Sequence, residues 1–252
     1  MVNEHGKVIQ SEINGVIKMK SYLSGMPELK LGLNDKIMVS RNASKKVSPA
    51  KGVELDDIKL HQCVRLSRFE SDRTISFIPP DGDFDLMTYR LNTHVRPPFS
   101  VKVQTDFKPL SKIEYFIRIK SEFKQVSCAN NVRVVVPVPF DADSPRFDTM
   151  AGTAKYDPSS NSFTWLISQF HGSNAFELRA KFGLPKVENE ESKKNTAMNH
   201  IKLKFEIPYY TISGIQVRYL KIIEKTGYSA LPWVRYATKN GNYLVKIQKL
   251  DE

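Results

Sequence analysis

Turn-forming residues interrupt this sequence about every 8 to 12 residues, and the segments between them have the composition of short β-strands. Asn14-Gly15, Asp157-Pro158 and Asn240-Gly241 are typical of tight hairpin turns, and the stretch 79–82, Pro-Pro-Asp-Gly, predicts another. No window of about ten or more residues has a sustained amphipathic helical pattern. We therefore expect an all-β sandwich architecture.

Two further stretches bear on the organisation of the chain. The stretch 94–99, His-Val-Arg-Pro-Pro-Phe, is the best candidate for a domain boundary, because two adjacent prolines break strand pairing and stiffen a linker. The stretch 53–69 predicts one long strand or a strand pair, followed by a turn. A chain of 252 residues can form one large all-β unit or two smaller ones.

The formal net charge of +11 favours an anionic partner, either nucleic acid or an anionic membrane leaflet, although such a charge can also serve solubility alone. Arg118 and Lys120 alternate along one predicted strand with Lys124 just beyond, and they would form a basic strip if they share an exposed face. Stacking of nucleic-acid bases is the weaker alternative, since the aromatic residues lie within apolar strand patterns.

Neither catalysis nor a bound metal or other cofactor is expected. The sequence has no Gly-rich phosphate loop, no Gly-x-Ser-x-Gly motif and no carboxylate pair of distinctive spacing. Asp81, Asp83 and Asp85 lack the remaining ligands of a calcium loop, and His61 with Cys63 lacks a third zinc ligand. No run of about 18 apolar residues and no secretory signal is evident, so we expect a cytosolic protein with reduced cysteines.

The stretch 213–236 could form a binding surface. In an extended chain Trp233 and Arg235 share one face, and Val234 and Tyr236 share the other. A flat aromatic side chain beside a guanidinium suits an incoming aromatic ring, and an apolar strand pattern just upstream offers a floor beside it. The alternative is that Trp233 anchors the core and Arg235 is a solvated strand residue.

Four long strings in the chain resemble one known family. They are LSGMPELKLGLNDK at 23–36, HQCVRLSRFESDRTISFIPPDGDFDLMTYRL at 61–91, PVPFDADSP at 137–145 and FEIPYYTISGIQVRYLKIIEKTGYSALPWVRY at 205–236. These strings look like the C-terminal mu homology domain of the clathrin adaptor medium (mu) subunits, most of all that of the trans-Golgi and endosomal (type-one) adaptor. The similarity covers nearly the whole chain.

The resemblance implies an elongated all-β domain of two sandwich-like subdomains, the second inserted into the first. Residues 1–94 with 208–252 would form one subdomain, and 95–207 the other. It also implies a cargo-recognition module that binds YxxΦ sorting signals in cytosolic tails of membrane proteins, Φ being a bulky apolar residue. The expected partners are two large and one small adaptor subunit and clathrin, on trans-Golgi and endosomal membranes. In the family the signal adds as a strand beside the Trp-Val-Arg-Tyr strand.

The family's motifs assign the two ends of the signal to different residues. Trp233 and Arg235 would flank the signal's tyrosine. In the family's first strand, a Phe-Leu-Asp-Val string supplies a Phe that packs on this tyrosine and an Asp that accepts its hydroxyl proton. The chain starts at Met1, after that string, so we expect it alone to bind YxxΦ peptides poorly and the restored strand to rescue binding. The alternative is a mu-homology scaffold with an incomplete tyrosine pocket.

The resemblance assigns the Φ pocket to Val217, Leu220, Val234 and the stem of Lys20. It further implies basic patches that meet phosphoinositide headgroups on an anionic membrane surface. The candidate lipid-facing residues are Arg118, Lys120, Lys124 and Lys155. No nucleic-acid partner follows from the resemblance.

Overall fold

Antiparallel β-sheets make up almost all regular structure in the computed structural model, which describes residues 1–3, 6–34, 53, 55–92, 95–108, 111–184, 200–224, 227 and 230–247. The all-β expectation is thereby confirmed. One α-helix, α1 (Leu66–Asp72), and a short 3₁₀ helix, Pro158–Ser160, are also present in these residues. The strands are β1 Ile13–Ser21, β2 Glu28–Leu33, β3 Asp56–Leu60, β4 Ile75–Phe77, β5 Gly82–Leu91, β6 Phe99–Lys108, β7 Lys112–Ser121, β8 Cys128–Pro137, β9 Asp143–Thr149, β10 Thr153–Asp157, β11 Ser162–His171, β12 Ala175–Gly183, β13 His200–Pro208, β14 Val217–Ile223, β15 Ala237–Lys239 and β16 Tyr243–Lys246.

A β-sandwich fills the larger of two compact units, which consists of Met1–Ser11, Arg96–Tyr210 and Ala237–Glu252. One sheet has six strands in the order β10-β11-β8-β13-β15, with β16 also on β13, and the other has four in the order β6-β7-β12-β9. Side chains alternate across each strand, so that one face of both sheets is apolar and packs into a single core. Trp165 is fully buried there, and its indole N–H donates to the carbonyl of Ala151 at 2.7 Å.

The smaller unit consists of Glu12–Val95 and Thr211–Tyr236. Its two sheets have three strands each, in the orders β1-β5-β3 and β14-β2-β4. Leu29, Leu31 and Leu33 of the central strand β2 are 2%, 2% and 3% exposed. They pack in one core with apolar residues of β4, β5 and α1. All six residues assigned from the sequence to the sorting-signal site belong to this unit.

The division into units differs from the predicted subdomains at the two ends of the chain. The chain passes from one unit to the other at 95/96 and 210/211, close to the predicted boundaries. Residues 1–11 and 237–252, however, belong to the larger unit. Strand pairing explains the difference, because β15 and β16 both pair with β13 and Val2 forms a bridge with Val245. Each unit is therefore assembled from separate segments of the chain.

The Asn14-Gly15 pair is not a hairpin turn, so that prediction is wrong. Strand β1 continues through it and pairs with β5, with Gly15 opposite Tyr89. A Cβ at position 15 would overlap the Tyr89 ring, which lies across the β1 backbone. The Tyr89 hydroxyl is hydrogen-bonded to Ser213 Oγ at 2.9 Å, which holds the ring in this position. Glycine is thus required here by close approach and not by a turn.

Two other turn predictions are wrong and one is confirmed. Strands β15 and β16 both run antiparallel to β13, so they form one interrupted edge and Asn240-Gly241 is not a hairpin turn. Asn240 bridges the interruption, since its side chain accepts from the Phe205 N–H at 2.8 Å. The turn at 79–82 connects two different sheets, because β4 pairs with β2 and β5 with β1 and β3. At Asp157-Pro158 the expected hairpin forms between β10 and β11.

The prediction of strand throughout 53–69 is wrong where α1 begins. The helix has seven residues, and Phe69 is its buried one. A single buried side chain gives no periodic pattern, so the sequence carried no helical signal.

Glu28 of β2 holds the segment that contains α1 to the sheet, because its carboxylate accepts from Ser76 Oγ at 2.7 Å and from Arg65 Nη1 at 3.0 Å. The Ser76 hydrogen bond and the positive charges of Arg65 and its neighbours lower the pKa of Glu28. Within the described residues, no helix is long and apolar enough to cross a membrane.

Replacing Gly15 by Ala is expected to lower the free energy of unfolding by about 1 to 3 kcal/mol, because the added Cβ must displace the Tyr89 ring or the β1 backbone. Urea unfolding followed by circular dichroism measures this change. Gly241→Ala is the matched control, since a Cβ there has no neighbour within 4 Å. Equal losses for the two variants would show that the ring contact is not what requires glycine at position 15.

Candidate binding site on strand β14

Strand β14 is an edge strand that pairs, in the described part of the chain, with β2 alone. Its register slips, because Val217 lies opposite Leu33 and Tyr219 opposite Gly32, which leaves Arg218 as an extra residue. This β-bulge changes which side chains share a face. Val217 and Leu220 therefore both pack against the core of the smaller unit, although a regular strand would place residues three apart on opposite faces. These two half-buried residues are called the apolar floor below.

Residues 230–236, called the exposed segment, do not form a strand, so the predicted Trp-Val-Arg-Tyr strand is wrong; regular structure resumes at Ala237. Trp233 is 76% exposed and Val234 is 41% exposed. The alternative that Trp233 anchors the core is therefore also wrong. Neither Trp233 nor Val234 makes a backbone hydrogen bond to another described residue. An exposed tryptophan on such a segment is typical of a contact surface.

A hydrogen bond from Val217 ties the exposed segment to β14. The backbone N–H of Val217 donates to the Tyr236 hydroxyl oxygen at 2.9 Å. Val217 is the first residue of β14 and part of the apolar floor, whereas Tyr236 is the last residue of the exposed segment. The bond thus holds Trp233, Val234 and the floor in one region of the smaller unit. This hydrogen bond could not be predicted from the sequence, since strand alternation does not specify the partner of a tyrosine hydroxyl.

The approach to β14 is fixed by buried polar groups. The side-chain amide of Asn34 donates to the Gly214 carbonyl at 2.8 Å and accepts from the Gln216 N–H at 2.8 Å. Ser213 adds the bond to Tyr89, and burial raises the pKa of the Tyr89 phenol. Buried polar groups with satisfied hydrogen bonds define a single arrangement of the backbone. The start of β14 is thereby held rigidly.

Lys20 lies at the end of β1 with 66% of its side chain exposed. Its ammonium nitrogen is 3.7 Å from Asp83 Oδ1 and 5.5 Å from the centroid of the Tyr22 ring. These are its contacts in the described structure, in which β1 and β14 belong to different sheets of the same unit. The predicted role of the Lys20 stem in a Φ pocket remains a prediction.

The basic residues that were expected from the sequence to face lipid lie on different surfaces of the larger unit. Arg118 and Lys120 both point outward from β7, but each has an acidic neighbour: Arg118 Nε is 3.6 Å from Glu177, and Lys120 Nζ is 3.3 Å from Glu122. Lys124 is exposed in the loop that follows β7. Two of the cations on this face are therefore partly neutralised within the protein.

Lys155 lies on the other sheet of the sandwich. It alternates along β10 with Ala154 and Tyr156, which pack on the core, so it points outward from the six-stranded sheet. Arg118 and Lys155 thus occupy opposite outer faces of the larger unit and cannot belong to one strip.

A second set of cations, which the sequence prediction missed, shares the outer face with Lys155. Arg133 of β8 lies directly opposite Lys204 of β13, and Lys202 is on the same face of β13. Arg133, Lys202 and Lys204 are exposed, and none forms an ion pair with another described residue. We call Arg133, Lys155, Lys202 and Lys204 the basic face. The alternation of Lys202 and Lys204 was readable, but the pairing with Arg133 required the register.

The remaining polar motifs have local structural roles. Nδ1 of His61 accepts from the Cys63 N–H at 3.3 Å, and its ring packs on Phe84 with centroids 5.0 Å apart. Burial raises the pKa of the Cys63 thiol, which disfavours the nucleophilic thiolate. The described residues contain no group of three or more His, Cys, Asp or Glu side chains that could hold a metal ion.

Comparison with known proteins identifies the family. The model of the adaptor complexes medium subunit family matches residues 1–247. The chain belongs to this family. The resemblance inferred from the four sequence strings is thereby confirmed.

Medium subunits of type-one complexes are among the similar relatives. The AP-1 complex subunit mu of Dictyostelium discoideum is 57% identical over 244 residues, which are 96% of this chain and 56% of that protein. The AP-1 complex subunit mu-2 of Homo sapiens is 54% identical over 246 residues, which are 98% of this chain and 57% of that protein. The chain therefore spans just over half the length of these relatives.

A mu-homology domain and a chain of an adaptor-type complex of known structure have the same fold. The yeast delta-COP-I mu-homology domain complexed with a Dsl1 WxWxV peptide has a TM-score of 0.66 at 15% identity, with coverage of 97% of this chain and 93% of that one. A homology model of the AP-3 complex has a TM-score of 0.64 at 19% identity, with coverage of 95% and 63%. At these identities the likeness supports the fold alone.

The medium-subunit chain has two tryptophans in opposite environments, and their fluorescence should separate them. Trp165 is fully buried and Trp233 is 76% exposed. We expect Trp233→Phe to shift the emission maximum to shorter wavelength and to reduce acrylamide quenching, because only the buried indole remains. An unchanged emission maximum and unchanged quenching in Trp233→Phe would contradict the exposure of Trp233.

Proposed function

We propose that this medium-subunit domain binds YxxΦ sorting signals in the cytosolic tails of membrane cargo proteins. The observation that carries the proposal is the exposed segment: Trp233 is 76% exposed, and the segment is tied through Tyr236 to an edge strand beside an apolar floor. An edge strand and an exposed, unpaired backbone can both accept an additional strand.

The tyrosine end of the signal would lie at Trp233 and Arg235. The indole offers an aromatic surface, and a guanidinium attracts the face of an aromatic ring when it lies within about 6 Å. Arg235 is exposed in the free chain, as a residue that receives a ligand must be.

The Φ end of the signal would lie on the apolar floor, Val217 and Leu220, with Val234 beside it. The bulge in β14 supports this assignment, because it turns both floor residues to the same side. Lys20 would add its stem by exchanging its ion pair with Asp83 for the contact with Φ. That exchange is inexpensive, since an exposed ion pair contributes about 0 to 1 kcal/mol.

The proposal extends to the assembly in which the domain acts. We propose that it works within a heterotetramer of two large, one medium and one small adaptor subunit, together with clathrin, on the cytosolic side of trans-Golgi and endosomal membranes. The support is the 57% identity to a subunit of an AP-1 complex. In this role the chain recognises cargo and catalyses no reaction.

Trp233→Ala is expected to weaken binding of a YxxΦ peptide by at least about 30-fold, since a buried aromatic anchor is worth about 2 kcal/mol or more at an interface. Isothermal calorimetry measures the affinity, both for the 252-residue chain and for a chain preceded by the family's Phe-Leu-Asp-Val strand. The prediction that the 252-residue chain alone binds weakly is tested in the same titrations.

Leu231→Ala is the matched control, because Leu231 is 90% exposed on the same segment and has no assigned role. We expect its affinity to stay within about twofold of the unmodified chain. A peptide with the signal's tyrosine replaced by alanine should bind to neither chain. Equal affinity for this peptide would instead favour the alternative, a scaffold with an incomplete tyrosine pocket.

We also propose that the domain meets an anionic membrane leaflet, and that the basic face makes the contact. Arg133 and Lys204 are like charges held directly opposite each other, an arrangement that is unfavourable unless an external anion lies over them. Arg118 and Lys120 already have acidic neighbours. By contrast, no described residue forms an ion pair with Arg133, Lys202 or Lys204.

Replacing Arg133 and Lys204 by Glu should reduce binding to phosphatidylserine vesicles by about tenfold or more, since each cation near an anionic surface contributes about 1 kcal/mol. Co-sedimentation at low and physiological salt measures the effect. Arg118→Glu with Lys120→Glu carries the same charge change on the opposite face and should have a smaller effect. Equal losses for the two pairs, or binding to oligonucleotides in preference to vesicles, would contradict the assignment.

A further inference from the structure

Tyr236 stands between the two halves of the proposed site. It ends the segment that carries Trp233 and Arg235, and its hydroxyl accepts from Val217, which belongs to the apolar floor. Tyr236 is half-buried and its hydroxyl is occupied by Val217, whereas Trp233 is 76% exposed. It therefore has no need to touch a ligand to affect how the two halves are spaced.

The bond to Tyr236 is made by a side chain where strands would normally use backbone groups. Paired strands lie about 4.8 Å apart, and a tyrosine side chain reaches further than that. The Val217 N–H is thus satisfied while the exposed segment keeps its distance from β14. Trp233 and Val234 consequently retain backbone groups that no described residue bonds.

The length of the tied segment matches the length of the signal. Trp233 precedes Tyr236 by three positions, and the tyrosine of YxxΦ precedes Φ by three. In extended chains three residues span about 10 Å. A ligand strand that runs parallel to the exposed segment, with its tyrosine at Trp233, would therefore bring Φ to the level of Tyr236, where Val217 lies.

We propose that Tyr236 is a positioning residue that fixes the distance between the tyrosine end and the Φ end of the site, and thereby selects signals with two residues between tyrosine and Φ. The inference rests on the proposed binding of YxxΦ signals. One extra residue would move Φ by about 3.3 Å and turn it to the other face of the ligand strand. Such a ligand fits only if the exposed segment can move and let the ligand strand reorient relative to Val217, which the hydrogen bond opposes.

The test compares Tyr236→Phe with the unmodified protein in a chain preceded by the Phe-Leu-Asp-Val strand. Two peptides are titrated by calorimetry, one with two and one with three residues between tyrosine and Φ. Because a single hydrogen bond is removed, we expect the affinity for the two-residue spacer to fall about three- to tenfold. The affinity for the three-residue spacer should stay the same or rise. The selectivity ratio therefore decreases, an effect that uniform destabilisation would not produce.

Tyr156→Phe is the matched control. Its hydroxyl is also hydrogen-bonded to a backbone group, here as the donor to the Ala142 carbonyl at 3.1 Å, but it lies in the larger unit. This variant should leave both affinities unchanged. An unchanged selectivity ratio in Tyr236→Phe, or an equal change in Tyr156→Phe, would overturn the proposal.

Amide hydrogen exchange of Val217, measured by NMR without peptide, tests the hydrogen bond independently. Val217 should exchange faster in Tyr236→Phe than in the unmodified chain, and unchanged exchange would overturn the proposed positioning. If the chain preceded by the Phe-Leu-Asp-Val strand, with Tyr236 intact, binds neither peptide, the proposed function fails and so does the spacing selectivity. The exchange result then decides only whether the bond holds the segment, so the two failures are distinguishable.

Discussion

The candidate site depends on three buried leucines of β2. Leu29, Leu31 and Leu33 are each 3% exposed or less, and full burial of a leucine contributes about 1.5 to 3 kcal/mol. A slip of one residue would turn all three toward solvent, so the register of β2 is strongly specified. Because β2 pairs with β4 on one side and β14 on the other, it also sets the register of β14. The positions of Val217 and Leu220 follow from that register.

The bulge in β14 is held from both faces of its sheet. On one face Leu220 packs on the core. On the other, the Tyr219 ring lies against Gly32, where a Cβ would overlap it, and the hydroxyl is 3.4 Å from Thr74 Oγ1. These contacts on both faces favour the register in which Arg218 is the extra residue. Bulges near binding sites commonly redirect side chains in this way, and here the result is a floor of two apolar residues that a regular strand would separate.

Local chemistry decided which parts of the fold could be predicted from the sequence. The hairpin at Asp157-Pro158 was predicted correctly because its determinants are adjacent: the Asp157 side chain accepts from the Ser159 N–H at 3.1 Å. Asn14-Gly15 has an equally strong turn signal, yet its glycine is required by Tyr89, a residue of another strand. The short helix containing Phe69 depends likewise on contacts that are distant in sequence. Alternation and the family strings predicted the fold class, but contacts between strands required the register.

The same distinction applies to the site. Trp233 and Arg235 were identified by the family motif, and their exposure agrees with a ligand-binding role, whereas residue chemistry alone favoured a core tryptophan. The hydrogen bond of Tyr236 and the pairing of Arg133 with Lys204 could not be read from the sequence, since each joins residues of separate elements.

An exposed segment that is already tied at one end has an energetic consequence for binding. Ordering one residue costs about 1 to 2 kcal/mol of conformational entropy, and a free loop of this length would have to meet that cost when the ligand arrives. The bond from Val217 to Tyr236 restricts the segment in the unliganded protein, so part of the cost belongs to folding. The exposed surface of Trp233 is the accompanying disadvantage, because the burial of its indole must wait for the ligand. A site built in this way gains affinity from preorganisation and from burying Trp233, while its few contacts keep the complex reversible.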